Sequence, residues 1–320
     1  MELLNKLTQA NGVSGNESAV SDIIKKEIEA LCDELYTDAT GNLIAHKKGN
    51  GKKVMFAAHM DEIGIIVTHT DENGFIRFKN LGGLCVKQLI GRRVKFSDGI
   101  IGVIGCEEEK YNKKPSYDSL YIDTGAKAVS IGDTAAFSGE WYTDGETVIS
   151  KALDNRTGCY ILIRAMQGIK ENKNDLYFVF TSQEEVGLRG AKTAAFSIEP
   201  DYAVSVDVTD TGDTPDAPVM EVGLGKGAAI KIMDRSILCD ADVRIKMTET
   251  AKKHNIPYQL EIMSIGGTDA GAIHLTRAGI KTGGISLPVR YVHTPSEMAK
   301  AADINACTEL VKALAEEEWK

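Results

Sequence analysis

The chain has 320 residues, 43% of them hydrophobic and 26% charged, with 37 Lys and Arg against 46 Asp and Glu and a net charge of −9. At roughly 150 residues per domain this is one large domain or two smaller ones, long enough to bury a full core without a disulfide or metal to hold it. The acidic balance argues against a nucleic-acid backbone or an anionic membrane as main partner.

The first convincing helix starts near Asn16, a suitable N-cap, with Glu17 in the first turn and an apolar stripe at Val20, Ile23, Ile24, Ile28 and Leu31. Asn42 to His46 and the continuously apolar Val54 to Ala58 read as strands. From about Gly64 to Ile149 the texture changes to short β-branched runs with glycine-rich turns, which suggests a small all-β barrel or sandwich. The acidic tract Glu107 to Glu109 with Lys110 inside it reads as a solvated loop. After Lys151 strands and helices alternate: a helix over Thr157 to Gln167, a strand over Leu176 to Thr181, a helix over Leu188 to Phe196 and a strand over Ala203 to Val208. The alternation continues with Tyr258 to Met263, a helix after Thr268, and Lys281 to Leu287. A closing helix from about Ile304 to Glu317 follows, with Asp303 as its cap. The expected fold is therefore α/β, a mostly parallel sheet flanked by helices and interrupted by a β-rich insertion. The expected division is 1–63, 64–149 and 150–320.

Six cysteines lie far apart, the closest pair 21 residues from each other, with no CxxC spacing. This excludes zinc-ribbon and thioredoxin motifs and suggests buried thiols in a reducing compartment. The N-terminus lacks a basic region followed by an apolar one, and no apolar run approaches the ~18 residues of a membrane helix. A cytoplasmic protein is expected. GLGKGAA at 223–229 lacks the last glycine of a dinucleotide loop, and there is no P-loop and no GxSxG elbow.

The chemistry gathers where strands end, which in a parallel α/β sheet is where sites assemble. AAHMDEIG places His59 and Asp61 after an apolar strand; i and i+2 on extended backbone share a direction, so Asp61 can orient the imidazole. A plain His–acid pair is equally compatible with that segment. Asp154 in KALDNR, taken alone, reads as a helix N-cap, because Thr157 onward looks helical. Glu184 and Glu185 follow a fully apolar strand, where two adjacent acids are either exposed or sit beside a cation. Asp207 falls inside a buried run and needs a partner, metal or otherwise. His293 precedes Thr294, Pro295 and Glu297, which read as a helix start with a capping box. His46, His69, His254 and His274 read as structural or surface residues. In GGTDAG, Gly267, Thr268 and Asp269 either touch substrate or merely cap and pack the next helix. Two histidines, three or four acids and one spare glutamate match what two divalent cations sharing a carboxylate require. Such a pair polarises a carbonyl and activates water, while the spare acid moves the proton.

These segments (AAHMDEIG, KALDNR, TSQEEVGLRG, SVDVTD, GGTDAG and YVHTPSE, in this order) resemble the tetrahedral aminopeptidase family of cocatalytic di-metal peptidases. That family includes deblocking, glutamyl, leucyl and lysyl aminopeptidases, some formerly described as cellulases or endoglucanases. The resemblance covers essentially the whole chain. It implies that His59 and Asp207 bind one metal, Glu185 and His293 the other, and Asp154 bridges them. Glu184 would be the general base and Asp61 the residue orienting His59. It further implies zinc or cobalt, small peptides as substrates, an α/β peptidase fold with an inserted small β-barrel domain, and dimers, built through that domain, that assemble into a hollow dodecamer. Two rivals remain. A glycoside hydrolase would use Glu184 and Glu185 as its acid pair, but would leave both histidines and Asp207 without a role. A non-catalytic regulator would be expected to have lost a ligand or the base, and none is missing.

Overall fold

The computed structural model describes residues 1–320. Helix α1 (Glu2–Gln9) buries Leu4 and Leu7, and α2 (Ser18–Ile28) buries Val20, Ile24 and Ile28 of the expected stripe. Asn16 is not its cap: Glu17 holds the N-cap position, and the Asn16 amide reaches Ser97. Three strands follow, β1 (Glu34–Thr37), β2 (Leu43–Lys47) and β3 (Lys53–His59).

The next six strands, β4 (Gly64–Thr70), β5 (Ile76–Leu81), β6 (Arg93–Phe96), β7 (Ile101–Cys106), β8 (Leu120–Asp123) and β9 (Thr134–Phe137), close into a barrel in the order β4-β5-β8-β7-β6-β9. Single-turn helices α3 (Val86–Leu89) and α4 (Glu108–Tyr111) interrupt them; the latter is solvated as the acidic tract predicts, but a helical turn rather than a loop. In β6 and β7 exposed and buried residues alternate, so one face of each strand fills the barrel. Ile65, Phe78, Val94, Phe96, Ile104 and Ile122 belong to a core of its own.

The chain then forms β10 (Tyr142–Thr143), β11 (Thr147–Ser150), α5 (Leu153–Gly168), β12 (Asp175–Thr181), α6 (Arg189–Ile198), β13 (Tyr202–Thr209) and β14 (Ala228–Met233). It ends with α7 (Ala241–Lys253), β15 (Tyr258–Ile262), α8 (Asp269–Ile273), β16 (Lys281–Pro288), β17 (Glu297–Lys300) and α9 (Ala301–Glu316). Eight strands make one sheet, β1-β2-β12-β3-β13-β16-β14-β15. β3 runs parallel to β12 and β13, β13 to β16, and β14 to β15; the other pairings are antiparallel. Alternate residues of β3 face opposite layers. Val54, Phe56 and Ala58 join the core with α5 and α9, while Met55 and Ala57 join the smaller core with α6 and α8. Burial on both faces explains the unbroken apolar run.

Some boundaries differ from expectation. Residues 142–150 have left the barrel, because β11 pairs with β17 rather than with a barrel strand. No helix begins at Thr294: Glu297 opens β17 instead. Lys300 holds the cap position of α9, and the Asp303 carboxylate accepts from the N–H groups of Gly225 and Gly227. Thr268 precedes α8 without a side-chain cap bond. Of the cysteines only Cys159, Cys239 and Cys307 are buried; Cys85 is exposed. No helix is long and apolar enough to cross a membrane.

Candidate active site

Because β3, β12 and β13 are parallel neighbours, their carboxyl ends lie together and deliver His59, the Glu184–Glu185 turn and Asp207 to one place. Asp154, in the first turn of α5, and His293, between β16 and β17, complete a pocket of about 430 Å3. His59 is 2% exposed. Its Nε2 lies 3.1 Å from Asp154 Oδ1, 3.6 Å from Asp207 Oδ1 and 3.9 Å from Glu184 Oε2. Across the pocket, His293 Nε2 lies 3.4 Å from Asp154 Oδ2 and 3.3 Å from Glu185 Oε2. Asp154 thus turns one oxygen to each histidine.

The other ring nitrogens are anchored to backbone. His59 Nδ1 lies 3.0 Å from the Asp61 carbonyl and His293 Nδ1 lies 2.7 Å from the Gly83 carbonyl, so as donors both leave Nε2 aimed into the pocket. The Asp61 carboxylate lies beside the same ring nitrogen, its nearer oxygen 3.4 Å from His59 Nδ1. Asp61 also accepts from the Glu184 N–H at 2.9 Å, the Glu185 N–H at 3.2 Å and the Ser14 hydroxyl at 2.6 Å. Glu17 accepts from the Gln183 N–H next to them. Gly83 lies between β5 and α3 of the inserted region and has no signature of its own in the sequence. An added Cβ there would come within 3.1 Å of the His293 ring and press on it.

Burial raises the carboxyl pKa of Glu184, of Glu185 and of Asp207, only partly offset by the histidines. Asp154 goes the other way: burial opposes ionisation, but hydrogen bonds from His293 and His59 hold it below the usual carboxylate range. Burial would also lower both imidazoles. The surrounding carboxylates overcome it, raising His59 well above its ordinary value and His293 to about 12. Four carboxylates crowd two imidazoles, no Lys or Arg lines the pocket, and Glu185 Oε1 is buried without a hydrogen-bond partner. The ligand atoms of His59, Glu184 and Asp207, and of His59, Asp154 and Glu185, form two overlapping groups, within each of which they lie at most 4.8 Å apart. Such a donor set fits divalent cations.

Of the GGTDAG segment, Gly267 and Thr268 line the pocket. Asp269 does not: it is 1% exposed, accepts the Thr181 hydroxyl at 2.5 Å, and has its carboxyl pushed up to about 7 by burial. Asp269 thus sits behind the pocket wall, bonded to Thr181. Sequence reasoning also missed Arg156. Its buried guanidinium donates to the carbonyls of Met60, Leu7, Ala10 and Gly12 and to Glu62, which Lys151 also holds.

Sheet, inserted barrel and paired histidine–carboxylate groups together define a peptidase of the metal-dependent aminopeptidase class. The chain belongs to the M42 glutamyl aminopeptidase family, whose model matches residues 41–310. A relative from Acetivibrio thermocellus is 53% identical over 318 residues, covering 97% of this chain and 96% of its own. The aminopeptidase APDkam598 of Desulfurococcus kamchatkensis superposes with a TM-score of 0.94 at 37% identity, over 99% of this chain and 94% of that one. The TET1 peptidase of Pyrococcus horikoshii, which can assemble into a tetrahedron or a large octahedral shell, superposes with a TM-score of 0.87 at 34% identity over 99% of each chain.

Proposed function

We propose that this aminopeptidase removes N-terminal residues from small peptides with two divalent cations. His59 and Asp207 would hold one, Glu185 and His293 would hold the other, and Asp154 would be shared between them. The observation that carries this reading is the pair of Asp154 oxygens turned to opposite histidines. When bound, the cations supply Lewis acidity toward the scissile carbonyl and toward water. Glu184, raised in pKa by burial, takes the proton from the attacking water and passes it to the leaving amine. Imidazole and carboxylate donors suit zinc or cobalt. The likeness to the TET1 peptidase supports assembly into a closed shell, and we propose a dodecamer whose dimers form through the barrel. The unpaired cysteines support a cytoplasmic setting.

The walls carry Leu188, Met263, Ile265 and Val292, plus one further carboxylate, Asp210. This lining favours apolar or basic N-terminal residues over acidic ones. The test is a panel of chromogenic amino-acid amides. Activity is lost on chelation, returns with zinc or cobalt, and is highest on the apolar or basic members. Glu184→Gln lowers kcat by about 10²–10⁴-fold while keeping its metal. Full activity in that variant, or indifference to chelator, contradicts the reading. A glycosidase would show that indifference.

A further inference from the structure

Glu297, expected from its spacing to close a helix capping box, is 1% exposed at the first residue of β17, opposite Ser150 of β11. Its Oε2 accepts from the backbone N–H of Asp154 at 3.0 Å and its Oε1 from the backbone N–H of His293 at 2.9 Å. Both of its oxygens are thus engaged on two residues 139 positions apart, whose side chains meet across the pocket. His293 has φ +62, a conformation that a non-glycine residue keeps only when its surroundings hold it there. A buried carboxyl group is costly unless its oxygens find donors, and these two backbone N–H groups supply them. On the opposite wall Asp61 does the same, one oxygen each to the N–H groups of Glu184 and Glu185.

We propose that Glu297 is a positioning residue for the metal pocket: one carboxylate fixes, through backbone, both the shared aspartate and the histidine on its far side. It touches neither substrate nor cation. The proposal rests on the dinuclear reading above. An amide cannot replace the carboxylate, since Gln offers one acceptor oxygen where two N–H groups need one each. Loss of either bond lets His293 or Asp154 drift, and the cation held by His293 and Glu185 feels both. Residues that orient metal ligands typically contribute about 10–100-fold to affinity.

The test is competition of metal-free protein against a chromophoric chelator, with zinc alone as probe, for wild type, Glu297→Gln, Glu297→Ala and His293→Ala. His293→Ala identifies which binding step belongs to that side. The expected result is that both Glu297 variants weaken this same step by about 10–100-fold. The other step changes less, and the metal-free melting temperature of Glu297→Gln stays near wild type. The proposal is overturned if both steps keep wild-type affinity. It is equally overturned if both weaken alike with a matching fall in metal-free melting temperature, the signature of a merely structural role. A wild-type protein with fewer than two steps would refute the dinuclear reading itself, and this proposal with it.

Discussion

Two crowds of buried charge share the short segment 151–156 and behave oppositely. Arg156 has five N–H donors and places all of them, four on main-chain carbonyls and one on Glu62. Lys151 completes the pairing of Glu62 with two contacts of 2.8 and 2.6 Å. Nothing in this cluster asks for a ligand: it ties α1 and the loop after it to the turn that follows β3. Asp154, two residues earlier, lies among carboxylates that outnumber their partners. The difference teaches how to separate structural from functional charge. A buried charge whose hydrogen bonds close within the protein stabilises the fold, whereas a cluster with surplus like charge and an idle buried oxygen is built for something that arrives later.

The largest effect that tests this contrast is on the closed cluster. Arg156→Ala should cost about 3–5 kcal/mol of stability, because it leaves Glu62 short of a partner and four carbonyls unmet. Chemical denaturation with and without zinc should show the same loss in both. A loss seen only with metal present would mean that the two clusters are one.

A smaller effect concerns pH. In the metal-free protein His59 and His293 are raised above the ordinary imidazole value of 6.5, and Glu184, Glu185 and Asp207 above their own. A group whose folded pKa is raised gives stability that is complete below its unfolded pKa and fades as pH climbs toward the folded one. All five therefore act in one direction, while the lowered Asp154 loses its contribution only in acid, below its ordinary 3.8. Metal-free protein should melt at lower temperature as pH rises from about 6 to about 8, and the stabilisation gained from zinc should grow over the same range. Melting curves in a pH series check this. A metal increment that shrinks with rising pH would contradict the proton-for-cation exchange.

Much of this was legible in the sequence, for a physical reason. A strand buried on both faces shows as an unbroken apolar run, so an acid or histidine inside it, at its end or just beyond stands out, as at Asp207, His59 and Glu184. The alternating short strands of 64–137 announce a closed β unit in the same way. What stayed hidden are contacts whose partner is main chain. Gly83 meets His293 from 210 positions away through a carbonyl that every residue has. Asp303 looked like a cap because acids cap helices, yet its carboxylate found the N–H groups of Gly225 and Gly227 instead. Glu297 misled in the same manner: its spacing suits a helix start, but its oxygens serve backbone that only the fold brings near.

The central claim is that Asp154 is shared by two neighbouring cations. Elemental analysis of zinc-reconstituted wild type and Asp154→Asn, after exhaustive dialysis, tests it most directly. The account predicts two ions per chain in the wild type and weakened retention of both in the variant. Two tightly held ions in Asp154→Asn, or one at most in the wild type, would contradict it.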